Sequence, residues 1–296
     1  MSNFKDMLGP MRLPFIILTP ACVLLGMATA IWTKGFVSIS HVIYILIGAT
    51  TAHISVNAFN EYFDFKSGLD YHTKRTPFSG GSGTLPEKPM LARQTLWIAI
   101  ITFVITLFIG LYFLHIRGLY LLPLGIVGLF LLYAYTPWLA YNTVLCLIAP
   151  GLGFGPLMVM GTHFALTGEY TWTALLASLI PFFLVSNLLL LNQFPDVEAD
   201  RTIGRKNLPV VIGRRVSSLI YSLFLGLAYL MIMLGAYSHQ MPKGCLIGLI
   251  TIFLAVPAGI GAYKHAENIE RLIPFMGANV IINIATPVLV AVGLLI

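Results

Sequence analysis

The sequence predicts an all-α polytopic membrane protein, one domain over residues 1–296, with nine transmembrane helices around a central cavity open to the cytoplasmic side. Three observations carry that expectation. The chain is 58% hydrophobic and only 9% charged. Its apolar runs reach spanning length, as from Leu13 to Trp32, which holds no charge. Most of its polar residues fall in two connections, roughly 65–93 and 195–216. A spanning helix needs about 20 apolar residues and a barrel strand about 10, so these runs are too long for a barrel.

The expected spans, in chain order, are residues 13–33, 41–62, 94–115, 119–138, 143–166, 172–194, 217–237, 244–263 and 273–295. The first is of spanning length and lacks a small-residue cleavage site, so it reads as a retained helix and not as a cleaved signal peptide. Lys and Arg set the orientation. Lys5, Arg12, Lys66, Lys74, Arg75, Lys88, Arg93, Arg201, Arg205, Lys206, Arg214, Arg215, Lys264 and Arg271 share one side, and only Lys34, Arg117 and Lys243 lie on the other. That split of 14 to 3 places the N-terminus in the cytoplasm and the C-terminus outside. The net charge of +6 then requires no nucleic-acid partner; it reflects the positive-inside bias and an anionic substrate. Cys22, Cys146 and Cys245 stand alone inside spans and read as small apolar packers.

Two acidic clusters sit where the even-numbered second and sixth spans reach the cytoplasmic face. The first is Asn57, Asn60, Glu61 and Asp64, with Asp70 beyond; the second is Asn192, Asp196 and Asp200. Both lie at helix C-terminal ends, where the macrodipole already disfavours acids by some tenths of a kcal/mol to about 1. An ionised carboxylate beside hydrocarbon costs several kcal/mol without a cationic partner, so function and not structure accounts for them. The first set falls at i, i+3, i+4 and i+7 and the second at i, i+4 and i+8, each one helical face. Pro195 interrupts the second, ending or kinking span six so that Asp196 begins a short new helix. Oxygen donors without Cys or His suit Mg²⁺, which is held by a few carboxylates together with substrate phosphates.

Read as N-x-x-N-E-Y-x-D-x-x-x-G-x-D from Asn57 to Asp70 and N-x-x-x-D-x-x-x-D-R-x-x-G from Asn192 to Gly204, these segments resemble the two signature motifs of the UbiA superfamily of intramembrane prenyltransferases. The resemblance covers essentially the whole chain. The Gly68-x-Asp70 ending, and Gly153-Phe-Gly155-Pro156 through Gly161-Thr162, are similar to the branch that prenylates 1,4-dihydroxy-2-naphthoate in menaquinone synthesis. Three positions depart from the family pattern: Glu61 where Asp is usual, a connection Tyr135 to Asn142 with no Lys or Arg, and Pro195 before Asp196.

The resemblance implies Mg²⁺-dependent transfer of a prenyl group from a polyprenyl diphosphate to an aromatic acceptor, in a bacterial or archaeal cell membrane. Asn57, Asn60, Glu61, Asp64, Asn192, Asp196 and Asp200 are then the expected metal ligands. Lys66, Lys74, Arg75, Arg201, Arg205 and Lys206 are the expected diphosphate clamps, Arg suiting bidentate contacts and Lys point charge. Lys66, Arg205 and Lys206 lead that group as catalytic candidates, together with Asp70, which lies past the expected C-cap Gly68 and is suited to orienting or deprotonating the acceptor. Tyr62, Phe63, Tyr133, Tyr135 and Phe194 are the rings placed to face the isoprenoid and its developing positive charge. The loop from Thr76 to Pro86, with Gly80, Gly81 and Gly83, reads as a closing lid or a plain connection, since it matches no P-loop or dinucleotide fingerprint. His53, one turn before Asn57, reads as a buried hydrogen-bonded side chain or a cavity residue, and His163 as structural.

The other classes considered are a prenyltransferase acting on another acceptor (4-hydroxybenzoate, homogentisate, a porphyrin derivative or a glycerol phosphate), a transporter and a lipid-binding scaffold. A transporter places its polar groups at the midplane in broken helices, whereas these acids gather at one face. A scaffold does not account for two acid stripes.

Overall fold

The computed structural model describes residues 4–296, with side chains from Met7 onward, so the side chain of Lys5, counted among the cytoplasmic cations, lies outside the described residues. Helices take up 83% of the chain and no strand forms among the described residues, which leaves every span able to satisfy its backbone internally. Two short helices, Phe4–Met11 and Leu13–Ile16, lead into α1, Leu18–Lys34. The chain breaks between them at Arg12, a non-glycine residue in the left-handed region with φ 51° and ψ 51°, and the leading segment meets α1 at 42°.

Helix α2, Ile39–Ser67, stops at Gly68, whose φ of 80° is the left-handed cap that glycine adopts without strain. It runs five residues past the expected boundary, so Asn57, Asn60, Glu61 and Asp64 all ride one continuous helix. There follow α3, Ala92–Arg117, and α4, Leu122–Ala134, with a 3₁₀ turn at Leu119–Leu121. Next come α5, Thr143–Thr167, and α6, Trp172–Asn192. Helices α7, Arg214–Tyr237, α8, Lys243–Lys264, and α9, Ile269–Leu295, complete the chain.

By length and composition, seven helices suit a membrane crossing, and the bent N-terminal pair makes an eighth if it is one span. The expected span at 119–138 is the short one: its apolar helical stretch ends at Ala134, because Pro137 turns the chain out of the helix. Leu119–Ala134 therefore rises only about 24 Å, against a hydrocarbon core of about 30 Å.

Consecutive helices pack side by side from α1 to α9, and α9 returns onto α1, closing a ring. Helix α6 is the most deeply enclosed, with 67% of its span buried against 11% for the span containing α3. Helix α5 approaches it closely because Gly151 and Gly155 face the backbone at Phe182 and Ser178, where a Cβ would collide. From Gly153 to Met160 α5 widens into a π-helical run that includes Gly155 and Pro156. Such widening recurs at functional sites. Here it turns Phe154, Leu157 and Met158 toward an apolar cavity of about 570 Å³ bounded by α1 to α6.

Candidate active site

Asn57, Asn60, Asn192 and Arg12 line the polar end of that cavity, and the acids sit beside them on α2 and just after α6. On α2, Asp64 is 7% exposed and Glu61 fully buried. Asp64 Oδ2 accepts from Asn60 Nδ2 at 2.9 Å, and Asn60 Nδ2 also reaches Thr136 Oγ1 at 3.2 Å. Asn57 Nδ2 donates to the Met11 carbonyl at 3.1 Å, tying α2 to the leading segment. Asn57, Asn60 and Asn192 all line the cavity.

Pro195 acts as the sequence predicts. Helix α6 ends at Asn192, a turn follows, and Asp196 precedes a new helix, Val197–Thr202, that carries Asp200 inward at 2% exposure. Asp200 Oδ2 accepts from Asn207 Nδ2 at 2.6 Å. Arg205 joins the two motifs: Nη2 donates to Asp64 Oδ1, and Nη1 donates to Asp200 Oδ1 at 3.3 Å. Its guanidinium lies 6.0 Å from the Tyr141 ring centre. Burial alone would lower the Arg205 pKa, but the charges of Asp64 and Asp200 outweigh it and hold the pKa above its ordinary value. Burial likewise raises Asp200, against the opposing pull of Arg205 and Asn207.

Asp70 and Asp196 are different in kind. Burial first, then the charges of Asp64 and Glu61, pushes Asp70 up to about 7, with Arg12 and Arg205 opposing. Asp196 is pushed up to about 7 by burial and by Asp200. Asp70 Oδ2, Asp196 Oδ1, Asn192 Oδ1 and Arg205 Nε are buried without a hydrogen-bond partner. Each such group costs about 1–3 kcal/mol and asks for a ligand. The unsatisfied oxygens are hard donors and so match Mg²⁺ in kind. Among the described residues, no three Asp, Glu, His or Cys side chains stand ready as a metal-holding group, and arginine, serine and asparagine donors occupy oxygens of Glu61, Asp64 and Asp200.

A family model, the UbiA prenyltransferase family, matches residues 19–279. The chain belongs to that family. The 1,4-dihydroxy-2-naphthoate octaprenyltransferase of Bacillus subtilis (strain 168) is 27% identical over 285 residues, covering 93% of this chain and 87% of that protein. UbiA prenyltransferase domain-containing protein 1 of Danio rerio is 27% identical over 251 residues, covering 81% of this chain and 70% of its own. Among solved structures, the apo UbiA homolog from Aeropyrum pernix K1 superposes with a TM-score of 0.73 at 14% identity, covering 96% of this chain and 98% of that one. The UbiA homolog from Archaeoglobus fulgidus bound to DMAPP and Mg²⁺ superposes at 0.62 and 19% identity, covering 97% and 99%.

The remaining expected residues of this UbiA prenyltransferase fall into two groups. Arg205 is at the centre of the acids, and Lys66 lines a smaller opening of about 270 Å³ beside Asp64, Thr136, Tyr141 and Arg205. Arg75 instead pairs with Glu87 at 2.9 Å and with the Gly83 carbonyl, and Arg201 pairs with exposed Glu198. Lys74 and Lys206 are exposed, Lys206 contributing its carbonyl to Thr143. Of the five rings, Tyr135 lines the main cavity and Phe63 the smaller opening. Phe194 is buried in the core behind α6, its carbonyl held by Arg214, because the turn after Asn192 points it away from the cavity. Tyr133 is 45% exposed and packs edge-on to Phe59 and Phe63 on the outer side of α2, where Tyr62 also meets Phe63.

Sequence reasoning missed Arg12, Phe15, Phe78 and Phe154, which line the cavity. The Gly-Phe-Gly-Pro run was the available signal for Phe154. His53 is both things considered for it: buried, with Nδ1 2.8 Å from Thr19 Oγ1, and a cavity wall edge-on to Phe154. His163 is structural, held between Thr29 and Thr171, and all three cysteines are buried and unpaired.

Proposed function

We propose that this prenyltransferase transfers a polyprenyl chain from its diphosphate to 1,4-dihydroxy-2-naphthoate, in a Mg²⁺-dependent reaction at the cytoplasmic face of a bacterial or archaeal membrane. The observation that carries the reading is the convergence of both acidic motifs, with unpartnered buried oxygens, at the polar end of an apolar cavity. In this reading all 296 residues form one domain whose nine helices serve as spans, α4 crossing with its flanking residues.

Asn57, Asn60, Asp64, Asn192, Asp196 and Asp200 are the residues that would hold Mg²⁺; Glu61, expected among them from the sequence, is instead engaged by Arg12 and Ser82. Bound Mg²⁺ would offset charge building on the departing diphosphate. Arg205, and Lys66 at the smaller opening, bind diphosphate oxygens, with Lys74, Arg75, Arg201 and Lys206 serving the approach from solvent. Asp70, held near neutrality, accepts the acceptor's proton or orients its hydroxyl. Tyr135, Phe154 and Phe15 turn π-faces toward the allylic end of the chain and exclude water, while the cavity takes the isoprenoid. The allylic C–O bond breaks with its electron pair leaving on diphosphate, a carbon–carbon bond forms from the aromatic ring to the allylic carbon, and the ring carboxylate leaves as CO₂, its bonding pair restoring the aromatic ring as the hydroxyl proton returns.

The Bacillus subtilis relative supports the acceptor, and the DMAPP- and Mg²⁺-bound neighbour supports the donor and the ion. The test supplies purified protein in lipid with Mg²⁺, a labelled long-chain prenyl diphosphate and a panel of aromatic acceptors, with an EDTA control. Mg²⁺-dependent product with dihydroxynaphthoate alone supports the proposal. Product with a different acceptor keeps the family chemistry and overturns the acceptor.

A further inference from the structure

Both Glu61 oxygens, like those of Asp64, accept from protein donors, but Glu61 draws its donors from the leading segment and from the glycine-rich loop. Oε1 accepts from Arg12 Nε at 2.8 Å and from the Ser82 backbone N–H at 2.7 Å, and Oε2 accepts from Ser82 Oγ at 2.7 Å. The side chain is fully buried. Three separate parts of the chain therefore meet on one carboxylate: the break before α1, the end of α2, and the glycine-rich loop. The loop is shaped for that meeting. Gly80, Gly81 and Gly83 hold φ of 86°, 70° and 73°, values that suit glycine, and the Gly81 backbone passes so close that a Cβ there would sit 3.3 Å from both Glu61 Oε1 and Asp70 Oδ1. Arg75 packs against Gly83 and steadies the far side of the loop.

Arg12 is the other half of the arrangement. It is a left-handed non-glycine residue, a conformation that surrounding contacts must over-determine. The Nε bond to Glu61 and the Asn57 bond to the neighbouring Met11 carbonyl supply that determination. With Nε committed to Glu61, its Nη2 edge stands beside the loop near Gly81, and the residue lines the cavity end that also holds Asn57, Asn60 and Asn192.

We infer that Glu61 is a clasp, not a metal ligand: it fastens the 79–84 loop over the cavity mouth and positions Arg12 toward the diphosphate. The inference rests on the diphosphate reading of the site and assigns to Glu61 and Ser82 a task in it. The extra methylene of Glu61 relative to aspartate is what the clasp needs, since the carboxylate reaches past the helix surface to Ser82 and Arg12 together. Metal ligation then falls to Asp64, Asp196 and Asp200 with the asparagines.

Two readouts on the full-length protein in detergent separate the roles: hydrogen exchange of amides 79–84, and the number of Mn²⁺ ions bound in the presence of inorganic diphosphate. Glu61→Asp keeps the charge and a ligand's chemistry but shortens the reach. Loss of hydrogen bonds to a charged acceptor predicts loop exchange about tenfold faster or more, with the Mn²⁺ count unchanged. Ser82→Ala should give the same sense of change from outside the acid cluster. Glu61→Gln should keep the full Mn²⁺ count, whereas Asp64→Asn should lower it. A Glu61→Gln protein that loses an ion, or a Glu61→Asp protein whose loop exchanges as in the parent, overturns the clasp. If the parent itself binds no Mn²⁺ with diphosphate, the functional reading fails, and the loop exchange still decides the clasp.

Discussion

Replacing Asp196 by alanine should stabilise the metal-free protein at alkaline pH while abolishing Mg²⁺-dependent turnover. Asp196 Oδ1 is buried and has no hydrogen-bond partner, so truncation strands no donor. Its carboxyl is raised from 3.8 to about 7, chiefly by burial and then by Asp200. The folded form therefore binds this proton more tightly than the unfolded chain, and stability is lost as pH rises from 3.8 toward 7. The full penalty, present above about pH 7, is at most about 4 kcal/mol from the same displacement. Thermal melts in detergent with EDTA, at about pH 5.5 and about pH 8, should show the parent losing stability at the higher pH and Asp196→Ala losing less. Turnover of the variant should fall by about a thousandfold or more, in line with loss of a transition-state charge contact. An identical pH slope in parent and variant would refute the burial argument, and retained Mg²⁺-dependent turnover would refute the site.

Arg205→Leu should destabilise the protein by about 3–5 kcal/mol in denaturant titration, because it leaves Asp64 and Asp200 buried without their shared cation; adding Asp64→Leu to it should recover part of the loss. Mg²⁺ should raise the melting temperature more at about pH 8 than at about pH 6, since a proton on Asp196 competes with it; equal shifts would count against that carboxyl as a ligand. Gly155→Leu should prevent folded expression or cost about 1–3 kcal/mol, because the α5 backbone there lies against Ser178 and Phe182. Gly110 stands on the cavity wall with open space within 4 Å of where its Cβ would lie, so Gly110→Trp should fold and should depress use of long prenyl diphosphates more than short ones in a competition assay.

What could be read from the sequence was whatever rested on periodicity and on the cost of charge in hydrocarbon. The i, i+3, i+4, i+7 stripe on α2, the Gly68 cap and the Pro195 break all follow from local rules that the tertiary structure leaves intact. Pairing was not legible. On the sequence, function and not structure accounts for Asp64 and Asp196 alike, yet Asp64 is held by Arg205, 141 residues away, whereas Asp196 Oδ1 is buried without a partner. Arg12 escaped notice for the same reason: as a lone cation before a span it reads as orientation bias, and only the fold brings Glu61 to it across 49 residues. Phe194 misled because an aromatic beside a motif residue points toward the site only while the helix continues.

The Arg205 bridge between Asp64 and Asp200 has a consequence for how the protein waits in a membrane. A cavity mouth lined with bare carboxylates would repel an anionic substrate and collect whatever divalent ion was most abundant. With an arginine already seated between them, part of that negative charge is answered from within, and a metal–diphosphate pair can exchange for the internal ion pairs: the incoming cation answers the acids while the incoming anion answers the arginine. Discrimination then falls on whether both halves of that pair arrive together.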